Sequence, residues 1–443
     1  MSLVHTDSPP VPEHPAPYGV AAIVAPYGGE EGDAYAAEFS RHGWACVPVV
    51  HPPHSLPLLH ADTAVSDTFP RAVVTHTGPG LRRTLKKLRA RRDVEVVLAA
   101  HPLGLSLADH LARGLGLPGC DPASAQRRHC RGAQMDALSQ ERLAAPQGIR
   151  ATALAAAQRW AAFVQAPSYV LAPADTAVHG AARVCRNPAE IRAAWNGLRR
   201  AARRHTGEEH LVLQTYQPGP QYIVHSISSP RPCGSATDHT VTDIWSEIPA
   251  GPHLTDRVEL MATSSPFHRV LSAYTRRVLD CLGVRTGPAR SRIAFVPGRG
   301  PVLLAARAWA TSTQADTAVR EATGYDLLRS AVHAAIGDAA QPGSAGRAVL
   351  RRPDDQRHIA LVRLIAPAAG RIDGPLLRTL TALPSVARVV GPLGTGAPVV
   401  RTVDRQTSPG EVLLVAPTQR ALAEGHRAVR AVEAAGLYQG GTR

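Results

Sequence analysis

Three apolar runs near the amino terminus, residues 20–25, 45–50 and 94–100, restrict the fold more than any other feature. Each has the length of a buried strand, and helix-type stretches at 33–41, 82–92 and 106–114 lie between and after them. Buried strands alternating with amphipathic helices satisfy their backbones as a parallel sheet covered by helices. Residues 18–122 are therefore expected to form a Rossmann-like α/β unit, preceded by a disordered tail at 1–17. The turn after the first run, Pro26-Tyr27-Gly28-Gly29, is not a G-x-G-x-x-G fingerprint, so no dinucleotide site is read there.

The pattern then changes. Residues 126–142 and 151–164 read as alanine-rich helices. Short β-type segments follow at 169–172, 184–186, 210–216, 222–226, 241–245, 291–296 and 302–306, with helices at 188–204 and 268–282. Mixed in this way, they predict an α+β body. Residues 341–356, rich in Pro, Gly, Ser, Arg and Asp, read as a linker. Beyond it, 358–365, 375–383, 386–390, 411–415 and 419–433 suggest a small βαββα unit. The expected division is a helical connector at 123–165, a smaller lobe at 166–215, a larger lobe at 216–340, the linker, and a carboxy-terminal α+β unit at 357–443.

Composition narrows the function classes. Hydrophobic residues make up 44% of the 443, enough for several cores. No apolar run approaches the roughly 20 residues of a membrane helix, and the amino terminus lacks the basic-then-apolar plan of a secretory signal. The six cysteines show no C-x-x-C pair, which predicts reduced thiols in a cytoplasmic protein rather than a disulfide framework or zinc site. The net charge is +14, yet Lys86 and Lys87 are the only lysines. Around them, Leu81, Leu85 and Leu88 recur at helical spacing, so 82–92 reads as an amphipathic helix with a solvated basic face. Aromatic residues that could stack on bases are scarce nearby. His51, His54 and His60 are read as a solvated loop in preference to metal ligands, and Asp243 with Glu259 as structural hydrogen-bonding groups in preference to a general acid/base pair. Trp245 and Trp309 are read as core or pocket-wall residues.

Six short segments, in order, carry a more specific signal: Leu115-Gly116-Leu117-Pro118-Gly119-Cys120-Asp121-Pro122, residues 212–222, Val241-Thr242-Asp243-Ile244-Trp245, Arg285-Thr286-Gly287-Pro288-Ala289, residues 319–325, and Thr407-Ser408-Pro409-Gly410. Together they resemble the ATP-grasp carboxylate–amine ligases, the amino-acid and dipeptide ligases in particular, from about residue 20 to 438. The resemblance implies an amino-terminal Rossmann-like domain, a two-lobed body that encloses ATP, and a small carboxy-terminal lobe. It also implies phosphorylation of a carboxylate with magnesium, followed by attack of an amine on the acyl phosphate.

Residue by residue, the expected grip on that triphosphate is altered. Ala172 stands where the family has a lysine over the phosphates, and Arg131 is the available cation where a second lysine belongs. The loop around Thr176, His179 and Gly180 matches the family's flexible phosphate loop, with Val178 near its first glycine. In the hinge, Gln214, Thr215, Tyr216 and Gln221 match the nucleotide-contacting stretch, with Thr215 and Gln221 replacing glutamates. Arg292 and Ala305 occupy the two magnesium carboxylate positions, and Trp309 that of a substrate arginine. No metal ligand set is read. Arg290, Arg292 and Arg307, with Asp243, Glu259 and Trp309, are the candidate lining of an anion or substrate pocket, since guanidinium clusters bind phosphate and carboxylate well. Three functional readings follow, in this order. The first is a non-catalytic relative that binds a small carboxylate or amino acid, or partners an intact ligase. The second is a diverged active ligase of small-molecule biosynthesis, and the third a nucleic-acid-associated protein.

Overall fold

The structure is a computed structural model that describes residues 18–26, 30–50, 69, 73–74, 80–91, 94–176, 178, 182–207, 209–231, 236–251, 254–309, 319–320, 326–337, 357–405 and 407–439. The expected tail (1–17), the Gly28-Gly29 turn, His51, His54, His60, His179, Gly180 and the expected linker (341–356) lie outside these residues.

The amino-terminal unit runs β1 (Val20–Val24), α1 (Glu30–Arg41), β2 (Ala45–Val50), β3 (Val73–Val74), α2 (Gly80–Arg89), β4 (Val94–Ala99) and α3 (Leu105–Leu115). Its four strands are all parallel, in the order β3-β2-β1-β4. Every residue of β1 is buried, because helices cover both faces of the sheet. The three apolar runs are three of these strands; β3 has only two residues and left no periodic signal. In α2, Leu88 and Thr84 are buried while Arg82, Arg83, Lys86 and Lys87 face outward, the amphipathic arrangement expected from the leucine spacing.

Two short helices follow, α4 (Ala125–His129) and α5 (Arg131–Gln140), where the sequence predicts one. The break is at Cys130, whose backbone is extended (φ −111°, ψ 117°) and bridges Asp175. The Arg131 amide donates to the Ala174 carbonyl, and the Thr176 amide to the His129 carbonyl. Backbone groups released from the helix thus find partners in a loop more than 40 residues away, which local propensity does not encode.

The smaller lobe contains β5 (Gly148–Ala151), α6 (Leu154–Val164), β6 (Tyr169–Pro173), β7 (Arg183–Cys185), α7 (Pro188–Thr206) and β8 (Leu211–Thr215). Its antiparallel sheet has the order β5-β8-β6-β7. β5 falls within the stretch expected as a helical connector; it pairs with β8 along its full length. Ile191, Trp195 and Leu198 of α7 are buried with Leu171 and Leu213 of the sheet. The Asn187 side chain caps α7 by accepting from the Glu190 amide, and Gly207 ends it in a left-handed conformation.

The larger lobe is built from β9 (Gln221–Pro230), β10 (Thr237–Gly251), β11 (Leu254–Leu260), α8 (Pro266–Cys281), β12 (Gly287–Val296), β13 (Gly300–Arg307) and α9 (Leu327–Ile336). The carboxy-terminal unit adds β14 (His358–Arg363), β15 (Gly370–Ile372), α10 (Gly374–Thr381), β16 (Val386–Val390), β17 (Pro398–Val399), β18 (Glu411–Ala416), α11 (Gln419–Val432) and β19 (Tyr438–Gln439). These two units share one eight-stranded sheet, β13-β12-β9-β10-β11-β14-β18-β16. The join is β11 with β14, antiparallel from Arg257 opposite Val362 to Glu259 opposite Ala360. β15, β17 and β19 form a separate small sheet. Between the lobes, Gly219 turns the chain at φ +116°, and a Cβ there would lie 2.2 Å from the Phe295 carbonyl oxygen, so only glycine fits. None of the helices among the described residues is long and apolar enough to cross a membrane.

Candidate functional site

Cross-strand pairing sets the chemistry of one face of the large sheet. Asp243, His225, Arg290 and Arg307 stand opposite one another across β10, β9, β12 and β13. The next row on the same face is Trp245, Ile223, Arg292 and Ala305, and the row after that is Glu247, Gln221 and Ala294. The opposite face carries Tyr222, Val224, Ile244 and Ile293 into a core with Leu271, Val278 and Leu279 of α8. One face therefore holds the sheet together while the other is polar and cationic.

Arg292 lays its guanidinium on Glu247, with Nε 3.0 Å and a terminal nitrogen 2.9 Å from the two carboxylate oxygens. Burial alone would raise the Glu247 pKa. The Arg292 charge, hydrogen bonds from Thr255 and Arg292, and the Arg290 charge hold it below its ordinary value. Arg307 is more heavily perturbed: burial, then the charges of Arg290, Arg131, Arg405 and Arg292, push its guanidinium well below the ordinary arginine pKa. Its Cζ lies 5.8 Å from the centroid of the buried Trp309 ring, a cation–π contact. Arg131, at the start of α5, donates to the carbonyls of Pro173 (2.7 Å) and Asp175 (3.0 Å). Burial lowers its pKa to about 10, with the Asp175 charge opposing and the Arg292 charge adding to the fall. The charges of four arginines, from three other parts of the chain, thus act on the desolvated Arg307.

The other sequence candidates divide. Asp243 is fully committed: its Oδ1 accepts from the Trp245 indole (2.5 Å) and lies 2.7 Å from His225 Nδ1, and its Oδ2 accepts from the Thr242 hydroxyl (3.0 Å). Glu259 is set apart from this face. It pairs opposite Ser246, accepts from Arg257 (2.6 Å) and receives the Gln419 amide of α11 (3.1 Å), so it serves the docking of the carboxy-terminal unit. Ala172 is buried within β6 opposite Val212. At the hinge, the Thr215 hydroxyl receives Gln217 Nε2 at 2.9 Å, and Tyr216 is 36% exposed. Thr176 Oγ1, Gln214 Oε1 and Gln221 Oε1 are buried with no hydrogen-bond partner. Such orphan polar atoms cost about 1–3 kcal/mol each unless a ligand or water satisfies them.

Sequence reasoning missed Glu247 and Arg405. Glu247 is legible in the sequence, since it continues the alternation of Asp243 and Trp245; the β-type segment expected at 241–245 runs on to Gly251 in the structure. Arg405 reaches the cluster from the carboxy-terminal unit, where neighbouring Asp404 pairs with Arg183 of β7 at 3.2 Å. His101, just after β4, was missed as well; burial lowers its pKa to about 4 against the charge of Asp175, so this end of the parallel sheet meets the same loop as Arg131. The carboxyl ends of parallel strands are where open α/β sheets take ligands.

The architecture has close counterparts among solved structures. The L-amino acid ligase of Bacillus licheniformis superposes with a TM-score of 0.67 at 15% identity, covering 93% of this chain and 97% of that one. The carboxyaminoimidazole ribonucleotide synthase of Aspergillus clavatus, complexed with ATP, gives 0.62 at 10% identity, with 94% and 98% covered. The fold is that of the ATP-grasp ligases. A TM-score of 0.58 at 9% identity to the N5-carboxyaminoimidazole synthetase of Staphylococcus aureus agrees, with 94% and 98% covered. The sequence matches no protein-family model. It is 25% identical over 334 residues to the uncharacterized protein y4rH of Sinorhizobium fredii, a match that takes in 74% of this chain and 65% of that protein's length.

Set on the ATP-grasp scaffold, the positions that the sequence resemblance assigns to the magnesium carboxylates, Arg292 and Ala305, are cross-strand partners. Magnesium requires hard oxygen donors in near-octahedral geometry. An alanine methyl and a guanidinium already forked on Glu247, with Arg290, Arg307 and Arg131 nearby, do not fit that ion.

Proposed function

We propose that this ATP-grasp-fold chain binds a small anionic ligand in the arginine-lined space of the large sheet, and that it does not carry out magnesium-dependent phosphoryl transfer. The observation that carries the reading is the Arg292–Glu247 fork opposite Ala305, with the lowered guanidinium pKa values of Arg307 and Arg131 around it. Guanidinium groups crowded into a desolvated space repel one another, and an anion that bridges them recovers that cost. A phosphate or carboxylate is the matching chemistry. The orphan acceptors of Gln214 and Gln221, at the hinge, suit a ligand portion that presents N–H donors. A role beside a catalytically complete ligase, as a ligand-presenting or regulatory partner, accompanies this proposal.

An active, diverged ligase is the second reading. Glu247 favours it, being a buried carboxylate held in its charged form on the same face.

Isothermal titration of ATP, with and without magnesium, separates the two. The first reading predicts anion binding whose affinity is unchanged or weakened when magnesium is added, with no release of ADP or phosphate. Tight ATP binding that requires magnesium, together with amide formation from amino-acid substrates, would establish the second.

A further inference from the structure

We propose that Glu38, His42 and His333 form a binding site for a zinc-class divalent cation at the seam between α1 and α9. Glu38 and His42 stand four apart on α1, so both project from one side of that helix. His333 comes from α9, nearly 300 residues later. Glu38 Oε1 lies 3.4 Å from His42 Nε2 and 3.8 Å from His333 Nε2, and all three donor atoms fall within 4.8 Å of one another. A tetrahedral zinc ion with ligands at about 2.0–2.1 Å separates its donors by roughly 3.3–3.4 Å. The groups are thus nearly at coordination spacing, and two imidazoles with one carboxylate are a donor set that zinc takes.

A purely ionic account of the cluster leaves too much unsatisfied. Glu38 is only 3% exposed, Arg41 contacts its Oε2, and Arg329 Nε is 3.1 Å from its Oε1. Those two cations explain a buried carboxylate. They do not explain the histidines: His42 Nε2 and His333 Nε2 are both buried with no hydrogen-bond partner, and so is Glu38 Oε1. The two rings meet edge to face at 4.5 Å, an arrangement in which neither Nε2 serves the other. One cation between the three atoms satisfies them all. Arg329 and Arg41 are 52% and 62% exposed and can swing into solvent when it enters. The partial exposure of His42 and His333, 23% and 32%, leaves a route for the ion and for a water as fourth ligand.

Besides the Arg329–Glu38 ion pair, the site joins elements that meet through apolar packing. α9 contributes Leu328, Ala331, Val332 and Ile336 to a core shared with Tyr35 and Phe39 of α1 and Ile227 of β9. A metal here would clamp the amino-terminal unit to the sheet whose other strands carry the arginine cluster. This inference does not depend on what that cluster binds.

The test uses the full chain stripped with a chelator and titrated with zinc chloride against a chromophoric competitor. One zinc per chain is expected, with affinity falling at least about tenfold in His42→Ala, His333→Ala and Glu38→Gln, since loss of a ligand costs no less than loss of a supporting group. Cobalt(II) should give the intense visible bands of a tetrahedral site in the parent chain and lose them in His333→Ala. Should an alanine variant fail to fold, Glu38→Gln, which preserves shape, carries the comparison. Absence of stoichiometric zinc overturns the proposal. So does zinc retained undiminished in all three variants, which would place it on others of the 20 histidines.

Discussion

At the scale of single residues, charge placement decides what the cleft can do. Arg292 and Glu247 illustrate it: the carboxylate is 12% exposed and the guanidinium 48%, so the pair is partly screened. Arg292→Ala should cost about 1–3 kcal/mol, because a buried carboxylate loses its charge-assisted bonds. Urea denaturation at neutral pH measures it. The sign of the pH dependence follows from the depressed Glu247 carboxyl. Its contribution is fully present above the ordinary glutamate pKa and is lost as pH falls through the lower folded value. The stability difference between the parent and Arg292→Ala should therefore shrink in acid. A difference that grows on acidification would contradict the pairing.

At the scale of elements, the carboxy-terminal helix α11 is fastened to β11 through Asp256, beside the Glu259–Gln419 contact. Asp256 lies 3.0 Å from His426, accepts from Arg257 (2.6 Å) and takes two bonds from Arg430 (2.5 and 3.0 Å). Burial works against its ionisation, but the hydrogen bonds from His426 and Arg257 and the charge of Arg430 hold it well below the ordinary aspartate range. Stability from this group is present above the unfolded value of about 3.9 and lost as pH falls below it. Asp256→Asn should lower stability by about 2 kcal/mol at pH 7 and flatten the acid limb of the melting-temperature profile. An unchanged acid limb would mean that other carboxylates dominate there. The eight-stranded sheet explains why the junction matters: β11–β14 pairing is the seam between the larger lobe and the carboxy-terminal unit.

At the scale of the molecule, Arg128 ties three units together. It is 1% exposed, pairs with Asp109 of α3, and donates to Ser124 Oγ (2.7 Å), the Asp121 carbonyl (3.2 Å) and the Gly283 carbonyl (3.3 Å). Burial pushes the Asp109 pKa up while Arg128 opposes it, so the carboxylate depends on its partner. Arg128→Met should lose about 3–5 kcal/mol, and the double variant Arg128→Met with Asp109→Leu should recover part of that loss. Thermal melts of the two variants make the comparison; a double variant less stable than Arg128→Met would show that Asp109 stabilises the fold independently of Arg128. The zinc-class site of α1 and α9 belongs to the same scale, as a second fastening of the amino-terminal unit to the body.

What the sequence by itself determined was local pattern and order. The apolar runs placed β1, β2 and β4 of the parallel unit, since strand length and burial are written in consecutive residues. The ordered motif segments indicated the ATP-grasp fold, and the arginines at 290, 292 and 307 stood out by their positions within those motifs. Tertiary structure decided the rest, because pairing between distant strands and helices is set by global packing rather than by neighbours in the chain. It broke the helix at Cys130 to meet Asp175, carried β14 onto β11, and gave Glu259 to α11 instead of the cleft. It also brought Glu247 to Arg292 and His333 to Glu38 and His42, contacts spanning 45 and nearly 300 residues.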